Sequence, residues 1–122
     1  MTSNSVSEKR RFRRYDFKKT VKVFPVVPSI SGNIYEVHTQ SMEMLSRDIS
    51  EGGLKLEASG KIESDSLLKL NFEVVDNQPV EIYGKVIWTQ DNHLGIRFMM
   101  PDPVLRKGIR SMRKKNKSAL DN

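Results

Sequence analysis

Apolar and polar residues alternate with a period of two through the middle of the chain. The pattern is clear where Leu54, Leu56 and Ala58 alternate with Lys55 and Glu57. A period of two is typical of strands that bury one face, so each set of apolar positions is predicted to share one face of a sheet. Three later sets follow the same rule: Leu68, Leu70, Phe72 and Val74; Val80, Ile82, Gly84, Val86 and Trp88; and Leu94, Ile96, Phe98 and Met100.

Turn-forming residues separate these predicted strands. Asp76-Asn77-Gln78-Pro79 precedes the strand that begins near Val80, and Asp91-Asn92 precedes the one that begins near Leu94. Residues 24–33 contain two prolines, which cannot donate ladder hydrogen bonds, and are therefore predicted to form an irregular connection. Short strands at this spacing predict an antiparallel sandwich or barrel.

One segment near the end of the chain carries the signals of a helix. Asp102 can cap the first free amides, and Pro103 fits the first helical position. Leu105, Ile109 and Met112 then recur at i, i+4 and i+7, which gives an apolar stripe able to pack on the sheet. We therefore predict a helix over residues 102–114, with its basic residues facing solvent or a partner, and a polar tail over residues 115–122.

The composition is that of one small domain. The chain has 122 residues, of which 37% are hydrophobic, enough for a single compact core. It contains no cysteine, which excludes disulfides, thiolate metal sites and cysteine nucleophiles. Residues 1–8 are small and polar and are expected to be disordered. No apolar run approaches the roughly 20 residues that span a bilayer, and no signal core is present, so we expect a cytoplasmic protein.

Positive charge is concentrated in two clusters. Residues 9–22 contain eight basic residues and one acid, and residues 106–117 contain seven basic residues and no acid, within a net charge of +6. Such clusters indicate an anionic partner, which can be a nucleotide, a nucleic acid, an acidic membrane or an acidic protein surface. Charge alone does not choose among these four.

Two short segments contain the residue types that suit a phosphate-bearing ligand. Residues 9–14 place several guanidinium forks around Phe12, and such forks can grip phosphate oxygens or hydrogen-bond to guanine. Residues 48–53 combine the hydrogen-bonding side chains of Asp48 and Ser50 with glycines that let a ligand approach the backbone. Taken singly, the first segment also fits a solvated basic tail, and the second also fits a capped β-turn.

Taken together, the two segments resemble the signature of the PilZ family. Arg10 and Arg14 match its Arg-x-x-x-Arg motif, and residues 48–53 match its Asp/Asn-x-Ser-x-x-Gly motif without substitution. Residues 84–88 and 94–98 are similar to the last two strands of the family. The resemblance implies an all-β domain over residues 9–114: a six-stranded antiparallel β-barrel (19–100), a flexible N-terminal strap (9–18) and a C-terminal α-helix (102–114).

The resemblance also implies a ligand, cyclic di-GMP. The arginines would contact guanine edges and phosphates, Asp48 and Ser50 would hydrogen-bond to guanine and phosphate, and Gly53 would permit close approach. Trp88 is a secondary candidate, because some relatives stack an aromatic residue of this strand on guanine, although its position also fits a core or barrel-rim residue. The implied ligand-binding residues are thus Arg10, Arg11, Arg14, Asp48, Ser50, Gly53 and Trp88.

The function that this resemblance implies is that of a receptor. It would change conformation on binding cyclic di-GMP and would signal to a protein partner, since the chain has no effector domain of its own. Two alternatives stay open: a nucleic-acid-binding β-barrel that uses both basic clusters, and a PilZ-fold interaction module that does not depend on the ligand. The pathway, the ligand stoichiometry and the oligomeric state do not follow from the sequence.

An enzymatic role is not predicted. The sequence offers no nucleophile beside a base, no metal-ligand cluster and no local pair of tuned carboxylates. His38 and His93 have no second histidine or cysteine nearby, so neither is predicted to bind a metal. No cofactor is expected besides the cyclic dinucleotide ligand.

Overall fold

A computed structural model describes residues 13–28, 35–37, 40–58 and 61–121. In this part of the chain it contains eight strands and one helix. The strands are β1 (Tyr15–Asp16), β2 (Thr20–Pro28), β3 (Tyr35–Val37), β4 (Met42–Ile49), β5 (Gly53–Glu57), β6 (Leu67–Val75), β7 (Gln78–Gln90) and β8 (His93–Phe98), and the helix is α1 (Pro103–Asp121).

Six of the strands close into an antiparallel barrel. Their order around the barrel is β4-β5-β8-β7-β6-β2, and β2 pairs with β4 to complete the circle. The two short strands extend the sheet, β1 beside β4 and β3 beside the end of β2. The prediction of a six-stranded antiparallel barrel followed by a helix is confirmed.

The alternating apolar positions fill the barrel interior. Leu54, Leu56, Leu70 and Val86 are completely buried, as the period-two pattern predicts. Two predicted inward positions are wrong. Trp88 is 39% exposed and Met100 is 72% exposed. Met100 lies outside because β8 ends at Phe98, and the position of Trp88 results from an irregularity in β7 that shapes the candidate site.

The proline-containing connection expected over residues 24–33 is partly a strand. β2 continues to Pro28 and pairs with β6, with Pro25 opposite Leu68. On its other side β2 pairs with β4 as far as Val23 and with β3 only from Val26. Pro25 is tolerated because it lies in the gap between these two partners, where no ladder hydrogen bond is required of its nitrogen.

Both predicted hairpin turns are confirmed. Val75 pairs with Gln78 across the Asp76-Asn77 turn, and Gln90 pairs with His93 across Asp91-Asn92. Asn77 has a φ of 68°, and Asp91 and Asn92 have values of 50° and 64°. Asp and Asn adopt this left-handed conformation more readily than other non-glycine residues, which is why they mark the turns in the sequence.

Residues 15–19 are fixed to the barrel. The side chains of Tyr15 and Phe17 are only 4% and 5% exposed. The buried hydroxyl of Ser46 donates a hydrogen bond to the carbonyl of Phe17 (2.6 Å) and accepts one from the amide of Lys19 (2.8 Å). The strap expected over residues 9–18 is therefore anchored from Tyr15 onward, because its aromatic residues alternate into the core.

Helix α1 begins as predicted and ends later. The carboxylate of Asp102 accepts a hydrogen bond from the amide of Leu105 (2.9 Å), which caps the first turn. Leu105 and Ile109 are buried in the core, with Met112 packed against it. The helix continues to Asp121, through residues expected to form a polar tail. No helix in the described part of the chain is long and apolar enough to cross a membrane.

Candidate functional site

A bulge in β4 turns Asp48 toward the outer surface of the barrel. Ser46 pairs with Leu56 and Asp48 pairs with Lys55, so Arg47 is an extra residue in β4. Met44 and Ser46 are buried, and without the bulge the next inward residue would be Asp48. The extra residue changes the phase of the alternation, so Ile49 enters the core and Asp48 stays at the surface.

A second bulge acts in the same way on β7. Val86 pairs with Ile96 and Trp88 pairs with Gly95, which leaves Ile87 as the extra residue. Val86 is buried, whereas Ile87 and Trp88 are both exposed. The prediction that Trp88 shares the inward face of Val86 is wrong for this reason, and the indole is available on the outside of the barrel.

The two bulges align chemically different side chains across neighbouring strands. Asp48 of β4 lies opposite Lys55 of β5, Lys55 lies opposite Gly95 of β8, and Gly95 lies opposite Trp88 of β7. Laterally paired residues have Cβ atoms about 5 Å apart, so an acid, a cation and an aromatic ring form one continuous row. Asp16 of β1 extends this row beyond Asp48.

Arg14 closes one end of the row through an ion pair. Its Nε donates a hydrogen bond of 2.6 Å to Oδ1 of Asp48, and its Nη2 approaches the same oxygen. The Arg14 side chain is half exposed. A guanidinium has five N–H donors, so the pair with Asp48 orients Arg14 while other donors stay free for an anion.

Trp88 covers the middle of the row. A Cβ atom on Gly95 would lie 2.1 Å from the indole Nε1, so the indole occupies the space that a side chain at position 95 would need. The ammonium of Lys55 lies 5.9 Å from the centre of the indole ring. Gly95 therefore allows the indole to lie close against the sheet, with a cation beside it.

These residues enclose a cavity of about 310 Å³ on the outer face of the barrel. A volume near 300 Å³ is at the small end of the range for ligand pockets. Three of the residues predicted from the sequence contribute to its wall, namely Arg14, Asp48 and Trp88. The sequence did not single out the other lining residues, which are Lys55, Ile87, Gly95 and Ile96.

Ser50 and Gly53 form the turn beside the cavity and are not among its lining residues. The Ser50 hydroxyl accepts hydrogen bonds from the amides of Gly52 and Gly53, both at 3.1 Å. A Cβ atom on Gly53 would lie 2.3 Å from the carbonyl oxygen of Ile96. Ser50 thus shapes the turn, and the lack of a side chain at Gly53 lets β5 approach β8.

The remaining predicted site residues, Arg10 and Arg11, lie outside the described residues. The lining residues that the sequence did not single out carried only a weak signal. Alternation indicates that Lys55 points outward, but it does not reveal which strand lies beside it. A second concavity of about 460 Å³ lies near the Asp91-Asn92 turn and contains none of the predicted residues.

The cavity combines groups that can contact an anion with a flat apolar surface. Arg14 and Lys55 supply positive charge, Asp48 supplies a hydrogen-bond acceptor, and Trp88 supplies a flat apolar surface. Among the described residues there is no group of three or more side chains able to hold a metal ion.

Comparisons with known proteins agree with the fold. The family model of the PilZ domain matches residues 8–113. A solved structure described as the PilZ domain of CeSA from a cellulose-synthesizing bacterium is similar in fold, with a TM-score of 0.53 and 14% sequence identity. The similarity covers 83% of this chain and 92% of that one. The search of curated proteins found no match.

Proposed function

The chain belongs to the PilZ domain family, whose role is to bind cyclic di-GMP, and we propose that it is a receptor for this dinucleotide. The observation that carries the proposal is the convergence of Arg14, Asp48 and Trp88 on one outer cavity. These residues come from three distant parts of the sequence. Their types match what a guanine nucleotide offers, because guanine has hydrogen-bond donors and acceptors at its edges and phosphate is anionic.

Each half of the ligand has a suitable partner in this arrangement. The indole of Trp88 is the surface on which a guanine base would stack, and Asp48 would accept a hydrogen bond from its edge. Arg14 and Lys55 would neutralise phosphate charge. The described cavity is small, so we place Arg10 and Arg11 on the other side of the ligand, as the family motif implies.

Binding would also change the conformation of the segment around Arg14. In the free protein, Arg14 is paired with Asp48, and an incoming phosphate would compete for its donors. The anchor at residues 15–19 would limit the movement to the residues before Tyr15. The change in this surface is the signal that we propose a protein partner reads, and the protein would act in the cytoplasm as a binding module and not as an enzyme.

Isothermal titration calorimetry with cyclic di-GMP tests the proposal. The wild type should bind with measurable heat at micromolar protein. Arg14→Ala and Asp48→Ala should each weaken binding by about 10- to 100-fold, because each removes hydrogen bonds to or from a charged group. Both side chains are partly exposed, so the variants should stay folded.

Arg47→Ala is the matched control. Arg47 lies next to Asp48 in the chain and also forms an ion pair, donating to Glu57 at 2.7 Å, but it does not line the cavity. Its loss should leave the affinity nearly unchanged. Absence of heat with the wild type, or equal affinities for Arg14→Ala, Asp48→Ala and wild type, would refute the proposed site.

A further inference from the structure

The outer face of α1 is a dense cationic surface that the nucleotide site does not use. Arg106, Arg110 and Arg113 are exposed and follow one another at i, i+4 and i+7, and Lys107 lies beside Arg110 at i+3. No acid occurs between Asp102 and Asp121. The opposite face of the helix packs against the barrel, where Leu105 and Ile109 are buried in the core.

Exposed apolar side chains occur in the segment that leads into this helix and in its first turn. Met99 is 54% exposed, Val104 is 39% exposed, and Met100, at 72%, is the most exposed large apolar side chain in the described part of the chain. Val104 is one helical turn before Lys107. The segment that leads into α1 and the helix itself therefore present apolar and basic groups together.

We propose that this surface, formed by Met99, Met100, Val104 and the basic face of α1, binds the anionic surface of a lipid bilayer. Interfacial binding combines apolar side chains at the headgroup boundary with Lys and Arg residues that contact anionic headgroups. Anionic lipids give the membrane a negative surface potential, which attracts basic residues. This attraction is worth about 1 kcal/mol for each basic residue near the membrane.

Two other anionic partners fit the surface less well. A nucleic-acid backbone would use the cations, but the exposed methionines would gain nothing from phosphate contacts. The centre of a protein interface is usually depleted of charged residues, whereas here four cations lie on the exposed side of the helix. The lipid boundary accommodates the basic and the apolar groups at once.

The two ends of this surface lie at different distances from the nucleotide site, since the amide of Met99 donates a hydrogen bond to the carbonyl of Tyr83, in the middle of β7, whereas α1 packs near the beginning of that strand. Gly108 of α1 packs against Val74, next to the turn that joins β6 to β7, and Trp88 lies near the other end of β7. None of the residues that form this surface lines the cavity, so lipid binding does not depend on the proposed receptor function.

Co-sedimentation of the full chain with vesicles tests the proposal. Vesicles containing phosphatidylcholine and about one third phosphatidylglycerol should bind the protein at low salt, and vesicles of phosphatidylcholine alone should not. Arg106→Glu with Arg110→Glu should lower the partition coefficient at least roughly thirtyfold, since two favourable charges become unfavourable. Met99→Ser with Met100→Ser should lower it less, and should leave its salt dependence intact.

The matched control reverses two exposed cations elsewhere, with Lys22→Glu and Lys61→Glu. This variant has the same net charge as the helix variant and should keep most of the vesicle binding. The proposal is overturned if anionic vesicles do not bind the wild type at low salt, or if both charge-reversal variants lose binding equally. It is also overturned if a duplex DNA competitor binds more tightly than the vesicles and the methionine variant binds both as the wild type does.

Discussion

The contact between Trp88 and Gly95 shows how a residue without a side chain shapes the proposed nucleotide site. The indole occupies the volume above Gly95, and any Cβ atom there would lie far inside contact distance. This glycine is needed because of the close approach. The consequence is that the position of the proposed stacking surface depends on a residue that itself offers no functional group.

Gly95→Ala should therefore displace the indole without unfolding the barrel. The contact is on the outer face, and Trp88 is 39% exposed, so the ring can rotate into solvent. We expect affinity for cyclic di-GMP to fall by about tenfold or more, in line with about 1–3 kcal/mol for one base stacked on an aromatic ring. Trp88 is the only tryptophan, so its emission should also shift toward that of an exposed indole.

A double-mutant cycle separates displacement of the ring from general damage. In a Trp88→Ala background, Gly95→Ala should have little further effect on affinity, because no indole remains to be displaced. If Gly95→Ala reduces the affinity equally with and without Trp88, the ring is not the group through which position 95 acts.

At the scale of elements, the packing of α1 on β6 depends on a second close approach. A Cβ atom on Gly108 would lie 2.7 Å from Cγ1 and 2.8 Å from Cβ of Val74. Glycine within a helix is normally unfavourable by about 1 kcal/mol relative to alanine. Burial of Leu105 and Ile109 offsets this cost, because the helix can approach the sheet closely when residue 108 has no side chain.

Gly108→Ala should accordingly destabilise the wild-type chain, despite the higher helix propensity of alanine. We expect a loss of roughly 1–3 kcal/mol in the free energy of unfolding, as for other overpacked positions. In a Val74→Gly background the same substitution should become stabilising, by up to about 1 kcal/mol, since both the methyl groups and the Cβ atom that obstruct it are gone. Urea denaturation of the four proteins measures both effects, and the same sign in both backgrounds would contradict this account.

Arg14 and Lys19, two described residues of the basic cluster over residues 9–22, make different contacts. Arg14 faces the cavity, whereas Tyr15 and Phe17 enter the core, and the Phe17 ring packs edge-on against Phe72 at 5.9 Å. Lys19 reaches Asp76, with an Nζ to Oδ1 distance of 3.0 Å. The segment thus joins the proposed nucleotide site to the β6–β7 turn, near which α1 packs.

At the scale of the whole molecule, ligand binding should raise the stability of the fold. The cavity wall comes from β4, β5, β7 and β8 together with Arg14, so it exists only when the barrel is closed. A ligand that binds only the native state adds about 2.7 kcal/mol at a concentration 100 times its Kd. For a chain of this length the melting temperature should then rise by about 10 °C.

Differential scanning fluorimetry measures this shift. Arg47→Ala should show the same increase as the wild type, and Asp48→Ala should show about half of it or less at the same ligand concentration. An equal increase for Asp48→Ala would mean that the dinucleotide stabilises the protein from another site. A lack of any increase in the wild type would contradict binding itself.

The sequence by itself determined that four segments, which correspond to β5, β6, β7 and β8, are strands. Polarity alternates within a strand whatever its neighbours are, so the core positions of β5, β6 and β8 up to Phe98 could be predicted locally. The same holds for the Asp-Asn turns and for the Asp102 cap, because each depends on residues adjacent in the chain.

Only the tertiary structure decided how the site is assembled. The bulges at Arg47 and Ile87 change the phase of two strands, and nothing in local alternation reveals them because they are defined by pairing with a partner strand. The register then sets Lys55 and Gly95 between Asp48 and Trp88. The family motif indicated Arg14 and Asp48 as ligand residues, but lateral pairing across four strands decided that an indole and a second cation share their cavity.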